Sequence, residues 1–490
     1  MESSSSLTPS TKFTGLTPST KFTGASSPPF GACVATEGPI SLRLSVVRGT
    51  IMALKEKVLR KKAEKFEIKE LERIIIPNQD KIHLLDKLLN EAYLIRRPKP
   101  SEYEHRKQLI RVFNEIAMEL YGNSSGCPVV EEFGSFSMDL FTTGSDLDLS
   151  VNFRNSPPVF PRDQKIKALR KFARKFYALQ SGGHVRGVQP VMAAKVPILK
   201  VIDAGSGVEC DLSVENRDGI SKSAIIRLIT SIDERFQKLS FLMKVWAKAH
   251  DINSSKDRTL NSLSIILLVA FHLQNRNPPI LPPFSEILKD GEDVASVQKS
   301  VRKFQNYGRR NTETLGQLFV SFLLKVASVE KLWAKGLCGS TYLGQWTSKT
   351  WDTKIASMSV EDFTDRSQNV ARAVGKSEVE KIYSCIHCSI QKLDSFINGQ
   401  IHESNLKDSL FGINTMHHHH HHHPIPPPNH MMQPPRAVQS WPTPPPKRMR
   451  VADGYRQPAK RMREAEGQGW GGPGWGGLHQ QPYGPPYRSG

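Results

Sequence analysis

Cysteine is scarce: Cys33, Cys127, Cys210, Cys338, Cys385 and Cys388 are scattered over 490 positions. Six thiols so spaced cannot frame a chain of this length with disulfides, so the fold must rest on a hydrophobic core, and a reducing compartment suits it. Cys385-Ile386-His387-Cys388 has CxxC spacing, but no second pair completes a tetrahedral zinc site, and the pair reads as structural background. Long apolar runs are missing too. The longest, roughly Ser262 to Leu273, falls well short of the ~20 residues a spanning helix requires, so no membrane partner is expected. Acidic residues are in deficit, 47 against 67 Lys and Arg, leaving a net charge of +20. That balance favours an anionic partner such as nucleic acid, nucleotide or an acidic surface, and charge alone does not choose among them.

Glycine and proline, 34 and 33 residues, gather toward the two ends, and five segments follow from composition. Residues 1–50 are Ser/Thr/Gly/Pro-rich and repeat Leu-Thr-Pro-Ser-Thr-Lys-Phe-Thr-Gly at 7–15 and 16–24, which is too little apolar surface to offset chain entropy. Residues 51–121 carry helical periodicity, with Leu85, Leu88, Leu89 and then Leu109, Val112, Ile116 as core faces. Residues 122–225 hold β-like runs at Val129 to Phe133, Leu147 to Phe153, Val191 to Ile202 and Val208 to Val214, the last two joined by the turn Ala204-Gly205-Ser206-Gly207. Residues 226–410 are helical again. From 411 to 490 a tail begins with seven histidines and continues Pro-rich, Gly/Trp-rich and basic.

The chemistry is concentrated in Phe133-Gly134-Ser135-Phe136 and Gly144-Ser145-Asp146-Leu147-Asp148-Leu149. Residues two apart on a strand share a face, so Asp146 and Asp148 project their carboxylates side by side. Adjacent carboxylates in a cleft repel unless a cation lies between them, and hard divalent ions prefer such oxygens together with substrate phosphates. Gly134, lacking a side chain, lets backbone N–H groups approach a phosphate, and the Ser135 hydroxyl donates to it. In the alternating run Val208 to Val214, Glu209, Asp211 and Ser213 share a face, with Asp211 the acid best placed by pattern. An Asp-x-Asp pair alone is common in loops. A Gly-Ser, an Asp-x-Asp a dozen residues later and a third Asp some sixty residues on are together far rarer.

That combination resembles the DNA polymerase β-like nucleotidyltransferases. From about 81 to 400 the chain is similar to the noncanonical poly(A)/poly(U) polymerases, and to plant terminal uridylyltransferases in particular, through Ala194-Lys195-Val196-Pro197-Ile198-Leu199-Lys200, Lys244-Val245-Trp246-Ala247-Lys248, Thr259-Leu260-Asn261-Ser262, Ile280-Leu281-Pro282-Pro283 and Val360-Glu361-Asp362-Phe363. The resemblance implies an α/β (α+β) fold: a palm-like mixed β-sheet lobe and a helical central, poly(A)-polymerase-associated lobe that also takes in the helical segment from about 81, with the nucleotide between them. It implies addition of UMP or AMP to RNA 3′ ends, with two Mg²⁺ or Mn²⁺ ions on Asp146, Asp148 and Asp211 and with UTP or ATP as donor. Lys244 and Lys248, four apart on one helix face, would reach the triphosphate with Ser135 and Ser262. Asn216, Gly219, Lys222 and Ser223 would border the ribose and base. The chain departs from the family in three places: Leu263 stands where relatives have a base-stacking tyrosine, Lys222 where several have asparagine, and Gln368 near where many uridylyl-specific members have a histidine that helps exclude adenine.

No RNA-recognition motif, KH motif or zinc knuckle is visible, so single-stranded RNA contact falls to the basic surface and tail, where Trp441, Tyr455, Trp470 and Trp475 alternate with Arg and Gly. Gly469-Trp470 and Gly474-Trp475 resemble Argonaute-binding hooks, which opens an alternative: a catalytically weak adaptor. Lys447-Arg448-Met449-Arg450 and Lys460-Arg461-Met462-Arg463 are spaced like a bipartite nuclear signal, so nucleus and cytoplasm are expected, with an organelle as the alternative from the Ser/Thr-rich N-terminus.

Overall fold

The computed structural model describes residues 39–412 apart from 76–77, 124–125, 155, 158 and 352–356, with backbone alone for 39–54. The N-terminal repeat, the histidine run, both basic clusters and the Gly-Trp dipeptides lie outside the described residues.

Three helices lead: α1 (Pro39–Ile74), α2 (Gln79–Arg96) and α3 (Pro100–Tyr121). The sheet region follows with β1 (Val129–Phe133), α4 (Gly134–Ser137), β2 (Leu147–Asn152), α5 (Arg162–Ser181), β3 (Val185–Val191), β4 (Ile198–Asp203) and β5 (Glu209–Val214). Helices α6 (Arg217–Thr230), α7 (Glu234–Ala249), α8 (Ser262–Gln274), α9 (Phe284–Leu288), α10 (Val294–Lys303) and α11 (Leu315–Ala327) come next, then the hairpin β6 (Leu337–Ser340) and β7 (Gln345–Ser348), α12 (Lys376–Ile397) and α13 (Glu403–Phe411). Among these residues no helix is long and apolar enough to cross a membrane, and Cys127, Cys210, Cys338, Cys385 and Cys388 are all free.

The large sheet runs β1-β2-β5-β4-β3. Strand β2 is parallel to β5 and the other pairings are antiparallel. Alternation explains its two faces. Leu147, Leu149, Val151, Leu199, Val201, Cys210, Leu212 and Val214 pack with Leu109, Phe113 and Ile116 of α3 and Leu169, Phe172 and Phe176 of α5 into one core. The opposite face carries the polar residues. A second, larger core joins α1, α2, α6 to α8 and α11 to α13.

Four expectations need correction. The stretch from about 81 to 121 is divided: α2 packs into the helical core, whereas the buried face of α3 belongs to the core of the sheet. The run Val191 to Ile202 is not one strand. It contains the end of β3, a turn and β4, and the Arg162 guanidinium holds the turn by donating to the carbonyls of Met192 (2.7 Å), Ala194 (2.8 Å) and Lys195 (2.9 Å). The run Leu147 to Phe153 ends one residue early, at Asn152. Finally, the region from 220 to 400 is not helical throughout, because β6 and β7 form a hairpin whose Trp346 ring packs 4.4 Å from that of Phe271.

Candidate active site

Register across the sheet sets one row of side chains. Phe133 of β1 lies opposite Asp148 of β2, Asp148 opposite Asp211 of β5, and Asp211 opposite Lys200 of β4. In-register neighbours point the same way, and adjacent strands stand about 4.8 Å apart. Asp148 and Asp211 are therefore side by side on the face away from α3 and α5, with Asp146 at the rim just before β2 begins.

Electrostatics at the row is uneven. Burial, reinforced by Asp211 and Asp146, pushes the Asp148 carboxyl up to about 7. Asp146 rises to about 6 through the surrounding protein and the nearby Glu209 and Asp211. Burial also raises Asp211, although Lys200 pulls it down. The Lys200 ammonium donates to both Asp211 oxygens, at 2.8 and 2.9 Å, and to Glu209 at 2.6 Å. Burial works against its charge, but these hydrogen bonds outweigh it and raise the Lys200 pKa. Among the described residues no group of three or more acidic, His or Cys side chains is arranged to hold a metal ion; Asp211 is turned toward Lys200 instead. The donor set still suits a hard divalent ion: oxygen ligands, two of them on carboxyls whose charge is poorly compensated.

The loop ahead of β2 is tied from two sides. Arg106 of α3, nearly fully buried, donates to the carbonyls of Thr143 (3.2 Å) and Ser145 (2.7 Å) and lies over the Phe141 ring at 4.6 Å. Lys244 and Lys248 of α7 donate to the carbonyls of Leu140 (2.5 Å) and Gly144 (2.8 Å). Lys244 is buried, and desolvation lowers it to about 8. It therefore underpins the loop, and the exposed Lys248 is the lysine with access to the cleft.

Gly134 works differently from expectation. Its N–H is not free for a phosphate but donates to Ser223 Oγ at 2.8 Å. What the missing side chain provides is room for Asp148, since a Cβ here would meet Oδ2 at 2.0 Å. Ser135 follows in the first turn of α4, half-buried. Ser223, expected beside the ribose, is buried and spends its hydroxyl on Gly134 and on the Gly219 carbonyl, at 2.7 Å. Asn216 caps α6 by accepting from the Gly219 N–H. Lys222 is bound to Asp218 (2.8 Å) and Asp362 (2.6 Å), and the turn from Asp362 brings the half-buried Gln368 to the same place. Ser262 opens α8 while Leu263 leans on the helical core. Arg106 and the Lys200–Asp211 contact went unread, because both depend on pairings between segments far apart in sequence.

A concavity of about 680 Å³ lies on the other face of the sheet, lined by Leu109, Phe113, Phe176, His184, Asp203 and Cys210. Its wall is mainly apolar, in contrast to the carboxylate row.

A mixed five-stranded sheet with such a row opposite a helical lobe is a nucleotidyltransferase palm. The model of the central palm domain of mitochondrial-like poly(A) RNA polymerases matches residues 85–231. The Arabidopsis thaliana protein HESO1 is 33% identical over 354 residues, covering 68% of this chain and 66% of HESO1. Terminal uridylyltransferase 4 of Homo sapiens is 26% identical over 339 residues, covering 65% of this chain and 19% of that protein. The fold is shared with mtPAP, crystallised in complex with UTP, at a TM-score of 0.53 and 20% identity over 69% of this chain and 76% of that one. The chain belongs to the noncanonical poly(A)/poly(U) polymerase family of DNA polymerase β-like nucleotidyltransferases.

Proposed function

We propose that the chain is a template-independent terminal nucleotidyltransferase that adds UMP, or AMP, to the 3′ end of single-stranded RNA. The carboxylate row carries this reading: Asp148 in register with Asp211, Asp146 beside them, on the sheet face away from its own helices. Asp146 and Asp148 would hold two divalent ions, Mg²⁺ or Mn²⁺, and Asp211 one of them; bound there, the ions acidify the RNA hydroxyl and neutralise the phosphates. Asp211 would also orient the 3′-hydroxyl and help take its proton as the oxygen attacks the α-phosphate and pyrophosphate leaves. Lys248, Ser262 and Ser135 are the accessible donors for the triphosphate. Uridylate is favoured over adenylate by likeness to terminal uridylyltransferases. Small RNAs or their fragments are the substrates that fit this likeness.

The test incubates the full chain with 5′-labelled single-stranded RNA, Mg²⁺ or Mn²⁺, and each nucleoside triphosphate separately. Ladders that vanish in the Asp146→Ala/Asp148→Ala protein are expected, longest with UTP. Equal ladders from wild type and variant would overturn the assignment.

A second reading is an adaptor with little catalysis that binds RNA or an Argonaute-type partner. It is favoured by Leu263, which packs against the core and offers a base no ring to stack on. Tight RNA binding without incorporation from any triphosphate would select it. Residence in nucleus and cytoplasm is part of the proposal, and a fluorescent fusion with and without the two basic clusters checks it.

A further inference from the structure

Helix α1 segregates its charges. On its inward side Leu59, Ala63 and Ile74 enter the helical core. Three of its five acids are spent on the protein: Glu56 accepts from the Ser348 N–H and hydroxyl at 2.9 and 3.0 Å, Glu67 pairs with the buried Lys325 at 2.8 Å, and Glu70 pairs with Arg73. On its outward side Lys57, Lys61, Lys65 and Lys69 recur every fourth residue with Lys62 beside them, all exposed and none ion-paired. At 1.5 Å per residue the stripe is about 18 Å long. Like charges four apart on a helix repel. Five such lysines outnumber the two exposed acids of the helix, Glu64 and Glu72, and form a surface that a polyanion would complete.

The stripe also has a direction. Its first lysine adjoins Glu56, which grips β7 at Ser348. Two residues beyond, Thr350 donates to the Arg366 carbonyl in the turn whose Asp362 pairs with Lys222 at the nucleotide end of the cleft. The Lys57 end of the stripe is thus the end joined, through β7 and the Asp362 turn, to Lys222.

We infer that the outward face of α1, through Lys57, Lys61, Lys62, Lys65 and Lys69, is a second RNA-binding surface that carries the phosphate backbone upstream of the 3′ end. This rests on the proposed function for its direction, but not for its test. Binding of labelled single-stranded RNA is followed in EDTA by fluorescence anisotropy. One RNA is about 30 nucleotides long and one about 5, above and near the bottom of the range for single-stranded sites of about 4–16. The full chain with all five lysines changed to Gln is compared with wild type. A control carries Gln at the exposed, unpaired Lys81, Lys87, Lys289, Lys299 and Lys331 instead, with the same net charge. The α1 variant should bind the long RNA about tenfold or more weakly, with a salt slope smaller by about 3.5, since each of the five phosphate contacts contributes about 0.7. The short RNA and the thermal midpoint should be unaffected. Equal losses in α1 variant and control, no change in affinity or slope, or loss of binding only to phosphatidylserine vesicles would each overturn the inference. An inactive wild type that still shows the α1-specific loss would instead sink the proposed function alone.

Discussion

A methyl group on residue 134 would stand 2.0 Å from Asp148 Oδ2, and the backbone there has φ of +70°, a conformation glycine tolerates and L residues resist. Gly134→Ala should therefore displace Asp148 and cost about 1–3 kcal/mol. The checks are loss of RNA extension and a lowered denaturation midpoint; normal activity would show that Asp148 has freedom to move. Asp148 itself sets a pH dependence. Its carboxyl is raised from 3.8 to about 7 in the folded chain, so the folded state binds the proton more tightly than the unfolded one. Its contribution to stability is present below about 4 and is lost as pH rises toward 7. Metal-free protein in EDTA should thus melt lower at pH 8 than at pH 5, and Asp148→Asn should flatten that slope and raise the midpoint at pH 8. A variant as pH-sensitive as wild type would place the strain elsewhere.

Helix α6 is attached to the loop after β7 by one ion pair, Lys222 to Asp362 at 2.6 Å, with side-chain exposures of 11% and 7%. Deleting one partner of a buried pair strands the other charge, at about 3–5 kcal/mol. Lys222→Met should approach that loss in chemical denaturation, and adding Asp362→Leu should recover most of it. If the double variant is as unstable as the single, the pair serves geometry more than charge balance. At this scale the sequence was legible where periodicity is enforced by a core. Strands β2 and β5 alternate because α3 and α5 cover one face, and the acids fall on the other. Strand β3, with Gly187, Pro190 and mostly exposed positions at the sheet edge, lacked that signal, as did the short hairpin of β6 and β7. Asp146, Asp148 and Asp211 were readable from spacing and family resemblance. Their neighbours Lys200 and Arg106 were not, because cross-strand register and helix docking are set by tertiary packing. Gly134 was readable as a required glycine, but which atom required it was visible only once β2 lay beneath it.

The described chain holds two hydrophobic cores of unequal size, and the carboxylates sit on the sheet built over the smaller one. A small core buries less apolar surface per residue and stabilises less, and here it also bears charges that repel when no cation is bound. In EDTA at pH 8 the amides of β2 and β5 should therefore exchange with solvent faster than those of α7 and α8, although both sets lie in the interior. Mg²⁺ with UTP should slow β2 and β5 preferentially, because a ligand held on the sheet raises the cost of any opening that releases it, by about 2.7 kcal/mol at a hundred times its dissociation constant. Hydrogen exchange read by mass spectrometry with and without the pair distinguishes the cases. Protection confined to α7 and α8 would move the binding site off the carboxylate row, and equal slowing throughout would mean that the two cores open as one.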